Sequence, residues 1–475
     1  MMIKDLLEAI ESRNLAIFAG AGLSIPAGYV NWQQLLQPIA DELDLDINKE
    51  ANNLVQLAQY HCNVNQSNRG KINQLLVNEF SQAATLTENH NILARLPIET
   101  FWTTNYDRML ETALTKAGKI PDVKYNNKQL AFTVPKRDAL VYKMHGDVEH
   151  PSEAILTKDD YESYHVKMKP FLTALSGDLI SKTFLFLGFS FTDPNLDYIL
   201  SRVRISYDVD QRPHYCLLKN IEQQDNESEA DFEYRERKQE LFIQDLLRFG
   251  IKSVMVDKYS EITEILQQLK TQIKAKSIFI SGAASEYGFY QKSDSEKFVY
   301  ELSKDLIASN LKIVSGFGLG IGSSVISGAL ESIYMSGQKL NDDQLLLRPF
   351  PQSQVGKEDL KSLWSKYRKD MISYAGIAIF LFGNKSVEEK IVLSNGMREE
   401  YEIALSQGVL VIPIGSTGYM AKELWLDLQE KIDAGNYTVP ENIKDELFEL
   451  GQDGKSLDSI KKTILDVISK LNQKS

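Results

Sequence analysis

The sequence predicts an α/β protein with two domains, each a mostly parallel sheet flanked by helices. Short apolar runs alternate with longer amphipathic segments along the 475 residues, as expected of parallel strands whose two faces are covered by helices. A glycine turn follows an apolar strand twice, within residues 16–22 and within residues 277–282. The length corresponds to two to four domains of roughly 150 residues each.

The first half contains five predicted strands and several helices. Residues 5–13 indicate a short helix, and Ser24 offers a side-chain cap for a helix after the first glycine turn. The charged stretch Asn220–Lys238 is interpreted as a solvated segment that begins as a loop and ends as a helix. The predicted strands are 16–19, 100–104, 140–143, 183–187 and 215–218.

A helix followed by a new strand marks the boundary between the domains. Apolar residues at helical spacing predict a helix over Glu261–Ile273, and the next strand begins at Ser277. We therefore assign residues 1–273 to the first domain and residues 274–475 to the second. The predicted elements of the second domain are strands 277–281, 311–315, 377–382 and 409–414 and helices 293–309, 322–335, 357–373, 397–407 and 456–472.

Composition excludes several classes of protein. The net charge of −12, from 53 basic and 65 acidic side chains, argues against nucleic acid as a partner because its phosphate backbone would be repelled. The two cysteines, Cys62 and Cys216, cannot build a four-thiolate zinc site, and no metal is expected. The charged N-terminus is not a secretory signal. The densest apolar run, Phe184–Phe191, is far shorter than the roughly 20 residues of a membrane span, so we expect a cytoplasmic protein without membrane partners.

Four short segments of the first domain carry residues suited to binding a dinucleotide. Three follow a predicted strand directly, and the one that contains a histidine lies just beyond a strand. Because the strand ends of a parallel sheet meet at one crevice, we expect the four to converge there, as in a Rossmann-like domain. Glycines let the backbone approach a pyrophosphate closely, although glycines at such junctions also serve packing alone. The segments are Gly20-Ala21-Gly22-Leu23-Ser24, Thr103-Thr104-Asn105-Tyr106-Asp107, His145-Gly146-Asp147 and Gly188-Phe189-Ser190-Phe191-Thr192-Asp193.

The order of these segments resembles the sirtuin superfamily over about residues 1–270. The resemblance implies a Rossmann-like NAD-binding domain in which Asn105 and Asp107 match the nicotinamide-pocket pair and His145 matches the catalytic histidine. The residues that match the loop under the NAD diphosphate are Gly20, Ala21, Gly22 and Ser24, and those that match the loop near the adenine ribose are Gly188 and Ser190.

Two departures from the family favour cleavage of NAD⁺ itself over protein deacylation. The chain lacks the four cysteines of the zinc module usual in deacylase sirtuins, and Tyr106 stands where those enzymes commonly have an aliphatic residue. NAD⁺ is then the substrate, and no cofactor is expected. The cationic leaving group departs neutral, so a polar clamp on nicotinamide, a held ribose and a positioned water are sufficient help. A histidine can accept the proton from ribose or water at neutral pH.

Three of these residues have alternative interpretations. Asp107 can instead cap the helix that begins near Arg108. Asp193-Pro194-Asn195 is interpreted as a turn and a helix start rather than as catalytic. A lone histidine is more often structural, but the attached Gly146-Asp147 and the other motifs favour a catalytic role for His145.

The second domain has its own glycine-rich loop, Ser315–Ser323, which follows a strand and precedes a helix. That is the context of a loop that cradles phosphate, although glycines for tight turns are the alternative. Together with Arg368, Lys385 and the segment Asn395–Glu400, the loop resembles the SLOG superfamily of Rossmann-like nucleotide sensors over about residues 275–475. The double glycine of the family's lysine-decarboxylase-like enzymes is degraded at Ser394-Asn395-Gly396, which favours binding without turnover.

Seven residues of the second domain are candidates for holding a nucleotide. Arg368 and Lys385 can bind phosphates, and the carboxylate of Glu399 or Glu400 can bond ribose hydroxyls or a base amine. A solvated helix face is the alternative for Glu399. The full set is Gly282, Gly316, Gly318, Arg368, Lys385, Glu399 and Glu400.

A sirtuin-like domain joined to a C-terminal SLOG domain resembles the effectors of Thoeris antiphage defence. The resemblance implies that a cyclic ADP-ribose isomer, made by a TIR-domain partner protein, binds the SLOG domain and activates NAD⁺ hydrolysis that halts the infected cell. It also implies a homo-oligomer, a tetramer or larger. A protein deacylase and a non-catalytic nucleotide-binding module are the alternative functions, and the set of Asn105, Asp107 and His145 argues against the second.

Overall fold

A computed structural model describes two compact units, Met1–Lys270 and Thr271–Ser475. The predicted boundary between 273 and 274 lies three residues beyond this division, in the same helix, Tyr259–Ala275. Each unit contains its own parallel sheet with helices on both faces, so the predicted fold class is confirmed. The described residues are 2–50, 53–82, 84–191, 193–207, 212–225, 227–350 and 359–473.

The N-terminal unit is built on a seven-stranded parallel sheet of order β3-β4-β2-β1-β5-β6-β7. All five residues of β1 and of β5 are buried, because these central strands are covered on both faces. The chain leaves β1 towards β2 on one side and later returns to β5 on the other, so the order reverses at β1. The strands are β1 Leu15–Ala19, β2 Thr100–Thr103, β3 Pro121–Lys124, β4 Ala139–Lys143, β5 Thr183–Leu187, β6 His214–Lys219 and β7 Ile251–Val256.

Twelve described helices accompany this sheet. The first, Met2–Glu11, buries Leu6, Leu7 and Ile10 on one face, as its helical spacing requires. Two short 3₁₀ turns, Ala21–Leu23 and Ile25–Ala27, follow β1 directly. The α-helices are α1 Met2–Glu11, α2 Trp32–Glu42, α3 Leu54–Val64, α4 Gly70–Phe80, α5 Glu88–Arg95, α6 Met109–Lys116, α7 Asn127–Leu130, α8 Lys158–Lys167, α9 Lys169–Ser181, α10 Pro194–Tyr207, α11 Glu229–Leu247 and α12 Tyr259–Ala275.

The C-terminal unit has a five-stranded parallel sheet of order β10-β9-β8-β11-β14 and a two-stranded antiparallel hairpin, β12-β13. Alternate residues of β8 enter two cores, Ile278 and Ile280 on one face and Phe279 on the other. The strands are β8 Ser277–Ala283, β9 Lys312–Ser315, β10 Leu345–Leu347, β11 Ile377–Phe382, β12 Asn384–Val387, β13 Lys390–Leu393 and β14 Leu410–Pro413. The helices are α13 Lys292–Ala308, α14 Gly322–Met335, α15 Leu360–Ser373, α16 Asn395–Ser406, α17 Tyr419–Asp433, α18 Lys444–Glu449 and α19 Leu457–Gln473.

The predicted strands are all present, including the edge strand β14, but the edge strands β3, β7 and β10 and the hairpin were not predicted. Strand β3 reads Pro-Asp-Val-Lys, which carries too little apolar signal for recognition, and β10 has only three residues. Both lie at an edge of their sheet, where only one neighbour constrains the sequence. The predicted helix 357–373 begins at Leu360 in the described chain, and residues 357 and 358 lie outside the described residues.

Glycines in both units allow two loop backbones to touch. A Cβ atom on Gly20 would lie 2.3 Å from the carbonyl oxygen of Gly188, and one on Gly188 would lie 2.4 Å from the amide nitrogen of Leu23. In the C-terminal unit, a Cβ atom on Gly318 would lie 1.8 Å from the carbonyl oxygen of Gly282. The packing interpretation of these glycines therefore holds in both units, because no side chain fits between the loops.

Gly188→Ala tests this packing in the N-terminal unit. Gly188 has φ +62° as well as the close contact, so we expect a loss of about 3 kcal/mol in the free energy of unfolding of this unit. The matched control is Gly118→Ala, which has φ +80° but nothing near its would-be Cβ; it should cost only about 1 kcal/mol. Chemical denaturation and calorimetry measure the free energy of unfolding of both variants. Equal losses in the two variants would contradict the packing argument.

Candidate functional site

A cavity of about 390 Å³ lies at the carboxyl ends of the central strands of the N-terminal unit. Residues from all four predicted segments line it, so the loops after β1, β2, β4 and β5 meet at one crevice as expected. Gly20 contributes its carbonyl oxygen to Asn105, which is itself in the lining. The predicted residues in the lining are Ala21, Gly22, Ser24, Asn105, Asp107, His145, Gly188 and Ser190.

A further part of the lining, the aromatic wall, is apolar and aromatic, and sequence analysis did not identify it. It comes from the second 3₁₀ turn, the loop after it and the helices α2, α3 and α4, which pack in one core. The rings of Tyr29 and Phe80 lie 5.5 Å apart, and those of Trp32 and Tyr161 lie 6.2 Å apart. An aromatic wall suits a planar heterocycle. The wall residues are Ile25, Tyr29, Val30, Trp32, Leu35, Leu54 and Phe80.

The backbone of the glycine turn is tied to its neighbour. The amide of Gly20 donates to the carbonyl of Leu187, and the amide of Gly22 donates to the carbonyl of Gly188, both at 2.9 Å. These two N–H groups are therefore already used within the protein. The glycine turn still lines the cavity with backbone that carries no side chain at the glycines. This agrees with the prediction that a ligand can approach the backbone closely there.

Asn105 is anchored by its own side chain. Its Nδ2 donates to the carbonyl oxygen of Gly20 at 3.0 Å and to Oγ of Ser24 at 3.2 Å. The predicted helix cap at Ser24 is wrong, because the following turn has no side-chain cap and the hydroxyl serves Asn105 instead. The next α-helix, α2, is capped by Asn31. Asn105 thus joins the loop after β2 to the glycine turn.

Asp107 has one engaged oxygen and one orphan oxygen. Oδ1 accepts from the amide of Met109, the first residue of α6, at 2.9 Å. The N-cap of this helix is Arg108 and makes no side-chain cap bond, so Asp107 contacts the start of the helix from the preceding position without being its cap. Oδ2 is buried and, among the described residues, has no hydrogen-bond partner. A buried acceptor without a donor is costly, which makes this oxygen a candidate for a ligand's N–H group.

His145 is paired with a carboxylate that was interpreted as a helix start only. Its Nε2 lies 2.8 Å from Oδ2 of Asp193, and both side chains are 7% exposed. Oδ1 of Asp193 accepts from the amides of Asn195 and Leu196 at 2.9 and 3.0 Å. Burial alone would raise the pKa of Asp193, but the nearby imidazole and these amides hold it below its ordinary value. The Asp193-Pro194 signal marked a helix start, and nothing in the sequence linked it to position 145.

A buried lysine lies beneath the site. Lys143, the last residue of β4, is fully buried, and its Nζ donates to the backbone carbonyls of Tyr106 and Asp107 at 3.1 and 2.5 Å. The same atom contacts Oδ2 of Asp147 at 2.5 Å and Oε1 of Glu111 at 3.1 Å. Burial alone would lower the pKa of Lys143, but the two carboxylates raise it above its ordinary value. The ammonium therefore connects the loop that carries Asp107 to the loop that carries His145.

The C-terminal unit has a smaller cavity of about 130 Å³ at the ends of its central strands. Five of the seven predicted residues line it. Glu399 lies outside the lining but accepts from Arg368. Lys385 is not in the lining; it lies in the β12-β13 hairpin with an exposed side chain. The predicted residues in the lining are Gly282, Gly316, Gly318, Arg368 and Glu400.

The charges in this cavity are satisfied by one another. Nη1 of Arg368 donates to Glu399 at 2.7 Å, and Nε donates to Glu400 at 3.3 Å. The guanidinium also lies 5.0 Å from the ring centroid of Phe350, a cation–π contact. Glu400 accepts from the hydroxyl of Ser281 at 2.6 Å. Burial raises the pKa of Glu400 above its ordinary value, in spite of Ser281 and Arg368.

Within the described ranges, no three His, Cys, Asp or Glu side chains converge as a metal site. Likewise, the described helices include none with the length and apolar composition needed to cross a membrane.

Lys143→Met tests the buried charge cluster. It leaves two buried carboxylates without their cation, so we expect a loss of about 3–5 kcal/mol in the free energy of unfolding of the N-terminal unit. The loss should be at least about 1 kcal/mol smaller in a Glu111→Gln background, because one unpaired charge is then gone. Lys116→Met, at an exposed position of α6, is the control and should change stability by less than about 0.5 kcal/mol. Additive effects of the two buried substitutions would contradict the coupling.

Comparison with known proteins matches both units. A model described as a SIR2-like domain matches residues 99–242, and a model described as the Sir2- and TIR-associating SLOG family matches residues 261–471. The predicted resemblance to the sirtuin and SLOG families is thereby confirmed.

Three relatives extend the comparison. The protein named NAD(+) hydrolase ThsA of Bacillus cereus (strain MSX-D12) is 55% identical over 472 residues, which cover 99% of this chain and 98% of the relative. A protein of the same name from Acinetobacter baumannii (strain 532279) is 48% identical over 91% of each chain. Defense-associated sirtuin 2 of Bacillus subtilis is 27% identical over 42% of this chain and 20% of its own length. With full-length similarity at this level, the chain, which joins a SIR2-like domain to a SLOG domain, belongs to the family of proteins named NAD(+) hydrolase ThsA.

Proposed function

We propose that the chain is an NAD⁺ glycohydrolase that cleaves the bond between nicotinamide and ribose in the cavity of the N-terminal unit. The observation that carries the proposal is the meeting of an amide, a carboxylate and an imidazole, from Asn105, Asp107 and His145, at one cavity beside the glycine turn. The names of the full-length relatives support the same activity. The products are nicotinamide and ADP-ribose.

The reaction is heterolysis of the C1′–N bond. The bonding electrons go to the pyridinium nitrogen, which leaves as neutral nicotinamide, and an oxocarbenium-like centre develops on the ribose. A water oxygen then bonds to C1′ and loses its proton to the imidazole of His145. General-base help of this kind contributes about 10²–10⁴-fold, and positioning of ribose and water supplies a further share.

The other residues act by holding the substrate. Oδ2 of Asp107, a buried acceptor without a partner among the described residues, accepts from the carboxamide NH₂ of nicotinamide. Asn105 places its amide at the same end of the cavity, fixed by Gly20 and Ser24. The diphosphate lies over the glycine turn, and the adenine ribose lies near Gly188 and Ser190. The aromatic wall of Tyr29, Trp32 and Phe80 excludes water from the ring.

We propose that the cavity of the C-terminal unit binds the activator, a cyclic ADP-ribose isomer made by a TIR-domain partner. Arg368 contacts the phosphates and Glu400 the ribose hydroxyls, and the glycines at 282, 316 and 318 admit the ligand backbone. A ligand activates only by binding the active arrangement more tightly than the resting one, and a 100-fold preference is worth about 2.7 kcal/mol. A homo-oligomer, a tetramer or larger, supplies the two arrangements. The protein acts in the cytoplasm, where NAD⁺ depletion halts the phage-infected cell.

One assay separates this function from its alternatives. The full-length protein is incubated with NAD⁺, with and without each cyclic ADP-ribose isomer, and free nicotinamide is followed. An NAD⁺ hydrolase releases nicotinamide without a peptide. A deacylase releases it only when an acylated peptide is present, and a non-catalytic binding module releases none.

His145→Ala and Asn105→Ala should each abolish nicotinamide release, at least 100-fold below the parent protein, while both variants stay folded by circular dichroism and calorimetry. The first loses the base and the second loses the link between two loops of the cavity. His165→Ala, an exposed histidine of α8, is the control and should keep full activity. Normal turnover in either well-folded cavity variant would remove the assignment.

Arg368→Ala should raise the activator concentration needed for half-maximal nicotinamide release by about 30-fold or more, since a charge-assisted bidentate contact to phosphate is lost. Calorimetric titration of the activator into the variant should show the same weakening. Lys369→Ala removes the adjacent, exposed cation and should leave activation unchanged. Unaltered activation of Arg368→Ala would rule out its role in sensing.

A further inference from the structure

We propose that Asp193 is the positioning residue for His145, in that its carboxylate fixes the proton on Nε2 and leaves Nδ1 as the base that faces substrate. This inference rests on the proposed hydrolysis of NAD⁺ and deepens it. Its basis is the 2.8 Å contact between Nε2 of His145 and Oδ2 of Asp193 within the cavity lining.

The carboxylate of Asp193 is held rigidly. Its Oδ1 caps the start of α10 through two backbone amides, Asn195 and Leu196, and the carboxylate is only 7% exposed. Such a cap at a helix N-terminus favours the ionised form. Because the first residues of α10 hold Oδ1, the orientation of the whole carboxylate is fixed. The position of Oδ2 beside His145 therefore follows from the fold.

The contact decides which imidazole nitrogen carries the proton. A carboxylate accepts hydrogen bonds only, so a neutral imidazole beside it is protonated on the contacting nitrogen. Nε2 is buried and lies 2.8 Å from Oδ2 of Asp193, although the two atoms are not aligned as a hydrogen bond in this structure. Among the described residues no hydrogen bond is formed by Nδ1 either, so the carboxylate beside Nε2 is what distinguishes the two nitrogens. Nδ1 is then the nitrogen with a free lone pair. In serine hydrolases, an aspartate orients the catalytic histidine and stabilises the imidazolium by the same logic.

Other charged and titratable groups lie near His145 and Asp193, but none of them takes the place of the Asp193 carboxylate beside Nε2. The hydroxyl of Tyr161 lies 3.4 Å from Oδ2 of Asp193, and burial and Asp193 hold the pKa of Tyr161 well above its ordinary value. Tyr161 is therefore a neutral donor to the same oxygen. Tyr106 and Tyr164 also interact with Asp193, and Asp160 and its partner Arg69 interact with Tyr106. Asp107 belongs to the same cavity lining, and Lys143 and Asp147 form an ion pair in and after β4.

Two variants of Asp193 separate positioning from helix capping. Asp193→Asn keeps the cap but removes the charge, and Asp193→Ser keeps a cap but is too short to touch His145. The control is Asp197→Asn, the same charge change at an exposed position of α10. Melting temperatures of all three should stay close to that of the parent protein, because each retains or does not involve the cap.

The kinetic readout is kcat and KM for nicotinamide release by the activated full-length protein. Asp193→Asn and Asp193→Ser should each lower kcat by about 100-fold with KM changed less than about threefold. Asp197→Asn should change neither kcat nor KM. A purely structural role for Asp193 would not lower kcat at nearly constant KM in variants that melt like the parent protein.

A second readout does not depend on activity. Long-range proton–nitrogen NMR of the histidine rings, with the His145 signal assigned by its absence in His145→Ala, should show the Nε2–H tautomer in the parent protein and lose that preference in Asp193→Ser. Unchanged kcat in the Asp193 variants of a protein that releases nicotinamide would overturn the inference and leave the proposed function intact. A rise in kcat would overturn it too, because Asp193 would then restrain the base. If the parent protein releases no nicotinamide with any activator, the proposed function fails, and the NMR result still decides the tautomer.

Discussion

The candidate active site depends on one buried ammonium. Lys143 has no contact with solvent, yet it holds two backbone carbonyls from the loop after β2 and a carboxylate from the loop after β4. Burying a charge is costly unless it is paired and fully hydrogen-bonded, and the partners supplied here are the two loops that carry Asp107 and His145. Moving the two loops apart would leave the buried ammonium without its partners, so the distance between the loops is hard to change. Two loops that met through apolar contacts alone would not be held in this way.

Both units apply the same rule to place a cavity. In each sheet the strand order reverses at a central strand, β1 or β8, and the cavity lies at the carboxyl ends next to that strand. In each, glycines let the loop after one strand rest on the backbone of the loop after another. The contents differ. The N-terminal cavity combines an aromatic wall with a paired histidine, whereas the C-terminal cavity contains an arginine satisfied by two carboxylates.

Sequence alone predicted the central strands, the long helices and most polar residues of the first cavity, because each motif directly follows, or lies just beyond, an apolar run that can be recognised locally. It did not predict contacts between segments far apart in sequence. Asp193 signalled a helix start, and only the fold brings it to His145, across 48 positions of chain. The wall from α2 to α4 carries ordinary core residues whose exposure to a cavity has no local signature. Lys385 shows the reverse failure, since a cation near a motif can still belong to an exposed hairpin.

The clasp of Arg368 by Glu399 and Glu400 has a consequence for selectivity. A guanidinium that already donates from Nε and Nη1 to two carboxylates offers less to inorganic phosphate or to small metabolites with a single anionic group, however abundant they are in the cell. Such an ion would gain one contact and strand two acidic side chains, one of them deeply buried. A molecule that brings hydroxyls for the acids together with phosphates for the arginine exchanges every bond it breaks. The resting cavity therefore selects a ligand by whether it replaces all of the hydrogen bonds that its binding breaks, and not by its charge alone.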